Sequence, residues 1–175
     1  REILQEVLEL VSVKAEQKGL EIVCEVAPDV PEMIQTDALR LRQALVNLVG
    51  NATKFTEEGS VTIRVDAIAE GRMVRFDIED TGPGIAEDQI ERIFEPFTLG
   101  DMSATRTHEG SGLGLPISRH LAQLLGGNLV VDSKPGEGSK FQLTIAPSAY
   151  GRSDLQSGSG RVRGDGGQEI CDLPV

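Results

Sequence analysis

The chain of 175 residues has no tryptophan, one tyrosine and five phenylalanines. Single-stranded nucleic acid is held largely by stacking bases on aromatic faces, so this composition argues against that role. Basic charge is also short, with 17 Lys and Arg against 28 Asp and Glu and a formal net charge of −11. A surface of that sign repels the phosphates of nucleic acid and of anionic membranes. A small phosphate ligand is still allowed, because backbone N–H groups hold an anion without net positive charge. Cysteine occurs only at Cys24 and Cys171. With no CxxC and no Cys/His cluster, a zinc knuckle is excluded and a disulfide framework disfavoured. Cys24 lies in an apolar run and is expected to be a buried small hydrophobe. No apolar stretch approaches the roughly 18–20 residues of a bilayer span, and no leader pattern precedes the helical repeat that starts at Arg1. The expectation is a cytoplasmic piece of a longer protein, without direct membrane contact and monomeric in isolation.

Glycine, by contrast, is plentiful at 20 residues, and 39% of the chain is hydrophobic, as in soluble globular domains. Ile3, Leu4, Val7, Leu8 and Val11 recur at helical spacing and predict a helix over 2–18, stopped by Gly19. A strand follows over 20–26, then a short one near 33–35. Thr36 or Asp37 can cap a second helix running to about Thr53. Residues 60–69 and 72–80 read as strands joined at Glu70–Gly71. A short helix over 86–92 precedes a polar, glycine-containing loop over 98–111. A helix over 113–125 stops at Gly126–Gly127, and strands over 128–132 and 140–145 close the pattern around Pro135–Gly138. Helices mixed with hairpin-joined strands favour a two-layer α/β (α+β) sandwich with helices on one sheet face. The last 28 residues hold six Gly and four Ser and little apolar periodicity, so residues 148–175 are expected to be a linker or disordered tail after a domain of residues 1–147.

Three groups of residues carry chemistry. On the second helix, Leu41, Leu45, Leu48, Val49 and Ala52 share one face, while Asn47, Asn51 and Lys54 form a separate stripe continued by Gln43 and Arg40. Amide oxygens suit a hard cation and an ammonium suits phosphate; a solvated polar face is the plain alternative. Asp80-Thr81-Gly82-Pro83-Gly84-Ile85 then puts a carboxylate at the end of an apolar strand, before a sharp bend. A buried carboxylate needs a hydrogen-bond donor, which an exocyclic amine such as adenine N6 supplies; an ordinary strand-to-helix turn also uses this pattern. Gly110-Ser111-Gly112-Leu113-Gly114-Leu115 runs into a helix, where exposed N–H groups and the dipole favour an anion.

Taken in order, these pieces resemble the ATP-binding catalytic domain of sensor histidine kinases, within the gyrase, Hsp90, histidine kinase and MutL group. Leu41 to Thr56 is similar to the family's N box, Asp80 to Ile85 to the G1 box, Phe94-Glu95-Pro96-Phe97 to the F box and Gly110 to Leu115 to the G2 box. The resemblance covers about residues 1–147 and implies a Bergerat-type fold, a mixed sheet backed by helices, binding ATP with Mg²⁺. It implies that Asp80 accepts the adenine amine, that Gly82, Gly84 and Ile85 shape that pocket and that Phe55 flanks the nucleotide. Asn51 and Asn47 would hold Mg²⁺, Lys54 would meet phosphate, and Gly110, Ser111, Gly112, Leu113, Gly114 and Leu115 would wrap the triphosphate. Residues 98–111 would be a mobile lid anchored by Phe94 and Phe97. Leu99 stands where many members carry a basic residue, so one phosphate contact is either absent or supplied by Arg106.

The ATP-hydrolysing members carry Glu where this chain has Asn47. An amide cannot take a proton from water, which favours phosphoryl donation to histidine over hydrolysis, with Asn47, Asn51 and Lys54 as the catalytic residues. The implied partners are the dimerisation and histidine-phosphotransfer helices of a parent kinase, with a response regulator receiver domain downstream. No acceptor helix is present: His108-Glu109 falls in the expected lid and His120 on the following helix. A nucleotide-binding signalling module without phosphotransfer is the alternative, and a serine kinase or weak ATPase is disfavoured by Asn47 and the complete F box.

Overall fold

A computed structural model of the chain describes residues 1–97 and 112–149, and the backbone of 170–171. Helix α1 (Glu2–Lys18) buries Ile3, Leu4, Val7, Val11 and Ala15 and ends at Gly19, whose φ of 65° closes the helix in the left-handed region. Strand β1 (Glu21–Val26) and the two-residue β2 (Ile34–Gln35) lead to α2 (Ala38–Phe55). Of the two candidate caps, Asp37 does the capping: its Oδ1 accepts the Arg40 N–H at 3.0 Å. The expected apolar face of α2 is buried in full, from Leu41 to Ala52.

Strands β3 (Ser60–Ile68) and β4 (Met73–Asp80) form a hairpin. Its turn is longer than the expected Glu70–Gly71 pair, because Ala69 also takes positive φ. Two single 3-10 turns, Glu87–Gln89 and Arg92–Phe94, replace the helix expected over 86–92. Helix α3 (Gly114–Leu124) is followed by β5 (Asn128–Lys134) and β6 (Gly138–Ile145). Both strands extend closer to their turn than expected, because Ser133 pairs with Ser139 and Lys134 with Gly138.

The five strands form one mixed sheet in the order β1-β3-β4-β6-β5, with β1 parallel to β3 and the remaining pairs antiparallel. Alternation sends Val61, Ile63, Val74, Phe76, Ile78, Leu143 and Ile145 into a core shared with the three helices. The opposite face is polar and laced with ion pairs, including Arg64 with Glu25 and Glu79, Arg75 with Asp66, and Lys140 with Asp77. The architecture is therefore the expected two-layer sandwich. Cys24 departs from expectation: it sits on the edge strand β1 and is exposed. Within the segment read as a tail, β7 (Ser148–Ala149) and β8 (Ile170–Cys171) pair antiparallel with the two sides of β2. Among the described residues, no helix is long and apolar enough to cross a membrane.

Candidate functional site

Alternation along β4 puts Asp80 on the same face as Phe76 and Ile78, so its carboxylate enters the helix layer at the strand's last residue. Asp80 is only 7% exposed. Its Oδ1 accepts the Gly82 N–H at 2.9 Å, as a carboxylate in so dry a place requires. Burial pushes its carboxyl above the usual carboxylate range, while hydrogen bonding to the Gly82 and Ser139 backbone pulls the other way.

The bend after Asp80 is clamped to the tip of the β5–β6 hairpin. The Gly136 N–H donates to the Pro83 carbonyl at 2.7 Å, and the Ile85 N–H donates to Ser133 Oγ at 2.8 Å. Ser133 Oγ in turn donates to the Gly138 carbonyl at 2.8 Å. Gly84 has φ +70°, and a Cβ there would collide with the Lys134 carbonyl. At Gly82 a Cβ would instead stand 2.8 Å from Asp80 Oδ1 and 3.1 Å from Thr56 Oγ1. The carboxylate and the hydroxyl thus come so close to Gly82 that a side chain there would press on both. Thr56 is fully buried, and its hydroxyl has no hydrogen-bond partner among the described residues.

The amide stripe of α2 faces the beginning of α3. Asn47 Nδ2 donates to the Gly114 carbonyl at 3.4 Å and to Ser118 Oγ at 3.3 Å. A Cβ at Gly114 would be 3.9 Å from both the Asn47 and the Asn51 side chains. Further along α2, Lys54 Nζ lies 4.9 Å from the centre of the Phe55 ring. Burial, with the Lys14 ammonium nearby, pulls Lys54 below the ordinary lysine range.

The fold thus gathers Asn47, Asn51 and Gly114 at one junction, and Asp80, Gly82 and the end of α2 at a second. Gly112 has positive φ at the entry to α3 and Leu113 is its N-cap residue. Leu115 and Ile85 pack against the core. The two phenylalanines expected to anchor a lid separate: Phe94 packs on the core beneath Arg119, whose guanidinium lies 4.8 Å from the ring centre. Phe97 is 77% exposed, turned outward by a φ of 65°. Leu99, Arg106, His108, Gly110, Ser111 and the whole expected lid lie outside the described residues.

Sequence reasoning assigned no role to Thr56, Ser133 or Lys18. Thr56 follows the amide stripe directly, and its buried hydroxyl depends on tertiary packing. Ser133 sits where a hairpin turn had been expected, and only the register of β5 against β6 gives it a purpose. Lys18 Nζ donates to the carbonyls of Thr53, Lys54 and Thr56 at 3.2, 2.7 and 2.9 Å, a contact that no local pattern signals.

Residues 36–149 match the family described as histidine kinase-, DNA gyrase B-, and HSP90-like ATPase. The chain is 41% identical over 148 residues to the sensor protein GacS of Pseudomonas syringae pv. syringae, which covers 83% of this chain and 16% of that protein. It is 44% identical over 141 residues to the aerobic respiration control sensor protein ArcB of Escherichia coli strain K12, covering 79% of this chain and 18% of ArcB. Among solved structures, full-length ShkA in complex with AMPPNP superposes with a TM-score of 0.72 at 41% identity, covering 83% of this chain and 29% of that one. The nucleotide-free catalytic domain of the histidine kinase ThkA gives a TM-score of 0.69 at 28% identity, covering 83% and 90%. The chain spans less than a fifth of the length of these curated relatives.

Proposed function

The chain belongs to the histidine kinase-, DNA gyrase B- and HSP90-like ATPase family, and on that premise we propose that it binds Mg-ATP and donates the γ-phosphoryl group to a histidine on the dimerisation helices of a parent sensor kinase. A response regulator receiver domain would take the phosphoryl group onward. The observation that carries this reading is the pairing of a buried Asp80 carboxylate, opened toward Gly82, with an amide stripe set against the start of α3.

Asp80 accepts the adenine N6 amine, Gly82 keeps a side chain away from that carboxylate, and Gly84 lets the bend lie against the β5–β6 hairpin. Phe55 and Ile85 supply apolar contact. Lys54 meets phosphate, and the Gly110–Leu115 segment that leads into α3 receives the remaining oxygens through backbone N–H groups. Arg106 substitutes for the basic residue absent at Leu99, and Phe94 and Phe97 flank the lid of residues 98–111. Asn51 and Asn47 present neutral amide oxygens, a donor set that suits Mg²⁺ held jointly with phosphates and water. The ion would neutralise charge on the β- and γ-phosphates. Asn47 has no basicity with which to activate water, and its amide already bonds Gly114 and Ser118. Its part is to hold the entry of α3 in place. Positioning therefore carries the step, with the imidazole of the partner as a nucleophile that needs no strong base.

Incubation with γ-labelled ATP and the histidine-bearing helix pair of the parent tests the reading. Acid-labile label on the helix pair is the expected result. Tight nucleotide binding without transfer would instead make the chain a nucleotide-responsive module. A second check concerns the metal: Asn51→Ala should weaken Mg-ATP about tenfold and metal-free ATP much less, as titration calorimetry would register. Equal losses in both titrations would remove Asn51 from the metal site.

A further inference from the structure

Helix ends leave carbonyls without partners, and a glycine in the left-handed region commonly closes them. Helix α2 has no such closure. Its C-cap is Thr56 at φ −81°, extended, and the segment there reads Lys54-Phe55-Thr56. The partner for these carbonyls comes from a different helix. Lys18, the last residue of α1, donates to the Thr53, Lys54 and Thr56 carbonyls and pairs with Glu57 at 3.3 Å. An ammonium has three donors, and three carbonyls surround this one. The side chain is 18% exposed, and its backbone cannot drift: Gly19 closes α1, and the Glu21 N–H is tied to the Gly59 carbonyl at 3.0 Å. The positive charge also meets the negative end of the α2 dipole.

The turn held in this way lies against the proposed base pocket. The Phe55 carbonyl is 3.4 Å, and Thr56 Oγ1 3.1 Å, from the point a Gly82 Cβ would occupy. Lys54 leaves the same turn. Residue 18 lies before the matched residues 36–149, so the family match assigns it nothing.

We propose that Lys18 is a positioning residue for the nucleotide: by gripping the last turn of α2 from α1, it holds Lys54 in the orientation that meets phosphate. This rests on the reading of Lys54 as a phosphate contact. Without the grip, α2 frays at its final turn and Lys54 no longer holds the orientation that meets phosphate.

The test is a double-mutant cycle on the full chain, titrating Mg-ATP by calorimetry well below each variant's melting temperature. K18M is expected to weaken Mg-ATP at least about tenfold, and K18R to recover most of that loss, because guanidinium also donates to several carbonyls. In a K54A background K18M should weaken binding by no more than about threefold further, because the two act through one group. K18Q, which keeps a donor without charge, carries the same cycle if K18M does not fold. A lowered melting temperature with unchanged Mg-ATP affinity would overturn the proposal and leave Lys18 as a plain helix cap. Losses that multiply in the double variant would overturn it too. If wild type does not bind Mg-ATP, or K54A binds as wild type does, the site reading itself fails. Normal responses there with a silent K18M would sink the positioning role alone.

Discussion

Asp80 is held in a form that the empty fold disfavours, and this gives one side chain two opposite expected effects. Its carboxyl is pushed above the ordinary range chiefly by burial, so the folded chain favours the protonated acid more than the unfolded chain does. Stability contributed by that preference is present below the unfolded pKa of 3.8 and is lost as pH rises through the folded value. Asp80→Asn removes the titrating charge while keeping an oxygen for the Gly82 N–H. The nucleotide-free variant should therefore be more stable than wild type at pH 7, with the advantage shrinking as pH falls through the Asp80 transition. Urea midpoints across pH would register this, and a destabilised variant at pH 7 would refute it. The same amide can turn an N–H toward an amine donor, so ATP affinity should fall roughly tenfold to a hundredfold. Unchanged affinity by calorimetry would remove Asp80 from the base site. Such a residue was legible from its position alone, as a charged group ending an apolar strand. Thr56 and Lys18 were not, because their significance lies in contacts across elements: one hydroxyl packed beneath Gly82, and one ammonium reaching the end of a helix 35 residues away.

Among elements, the β5–β6 hairpin is the partner of the bend at 81–85, and the two glycines of that bend answer to different neighbours. Gly84 combines positive φ with backbone, the Lys134 carbonyl, in the place a Cβ would take. Gly84→Ala should cost about 1–3 kcal/mol for the dihedral alone, with overpacking against an unyielding hairpin added to it. The two nearest neighbours of a Gly82→Ala Cβ are side-chain atoms, Asp80 Oδ1 at 2.8 Å and Thr56 Oγ1 at 3.1 Å, with the Phe55 carbonyl at 3.4 Å. That variant should keep its melting temperature within a few degrees and yet lose ATP affinity, since the methyl pushes the Asp80 carboxylate aside. Equal melting points for the two variants would show that the hairpin does not clamp the bend. Helices α1, α2 and α3 and all five strands of the main sheet could be read from periodicity, because each has one apolar face at a regular repeat. The stretch 86–94 could not: its residues allow a helix, yet it forms two 3-10 turns. The pairing of β7 and β8 with β2 was equally hidden, since two-residue strands carry no period.

For the molecule as a whole, charge and histidine content bear on what it can do alone. A net charge of −11 opposes a polyanionic ligand, so the proposed binding relies on local donors, for which Lys54 and the entry of α3 are the candidates. Only two histidines are available as phosphoryl acceptors, His108 and His120. Ser118 points from α3 into α2, where Asn47 bonds it. His120 is two residues further on, about 200° around the helix, and it is exposed. The imidazole of His120 consequently lies on the side of α3 turned away from the amide stripe. On the proposed reading, a single chain cannot bring it to a phosphate beside the amide stripe without unwinding α3. The isolated chain incubated with γ-labelled Mg-ATP should therefore remain free of acid-labile label, while the same preparation labels an added histidine-bearing helix pair. His120→Gln should leave both results unchanged. Acid-labile label on the chain alone that disappears in His120→Gln would place an acceptor on α3 and overturn this view of a domain that serves a histidine elsewhere.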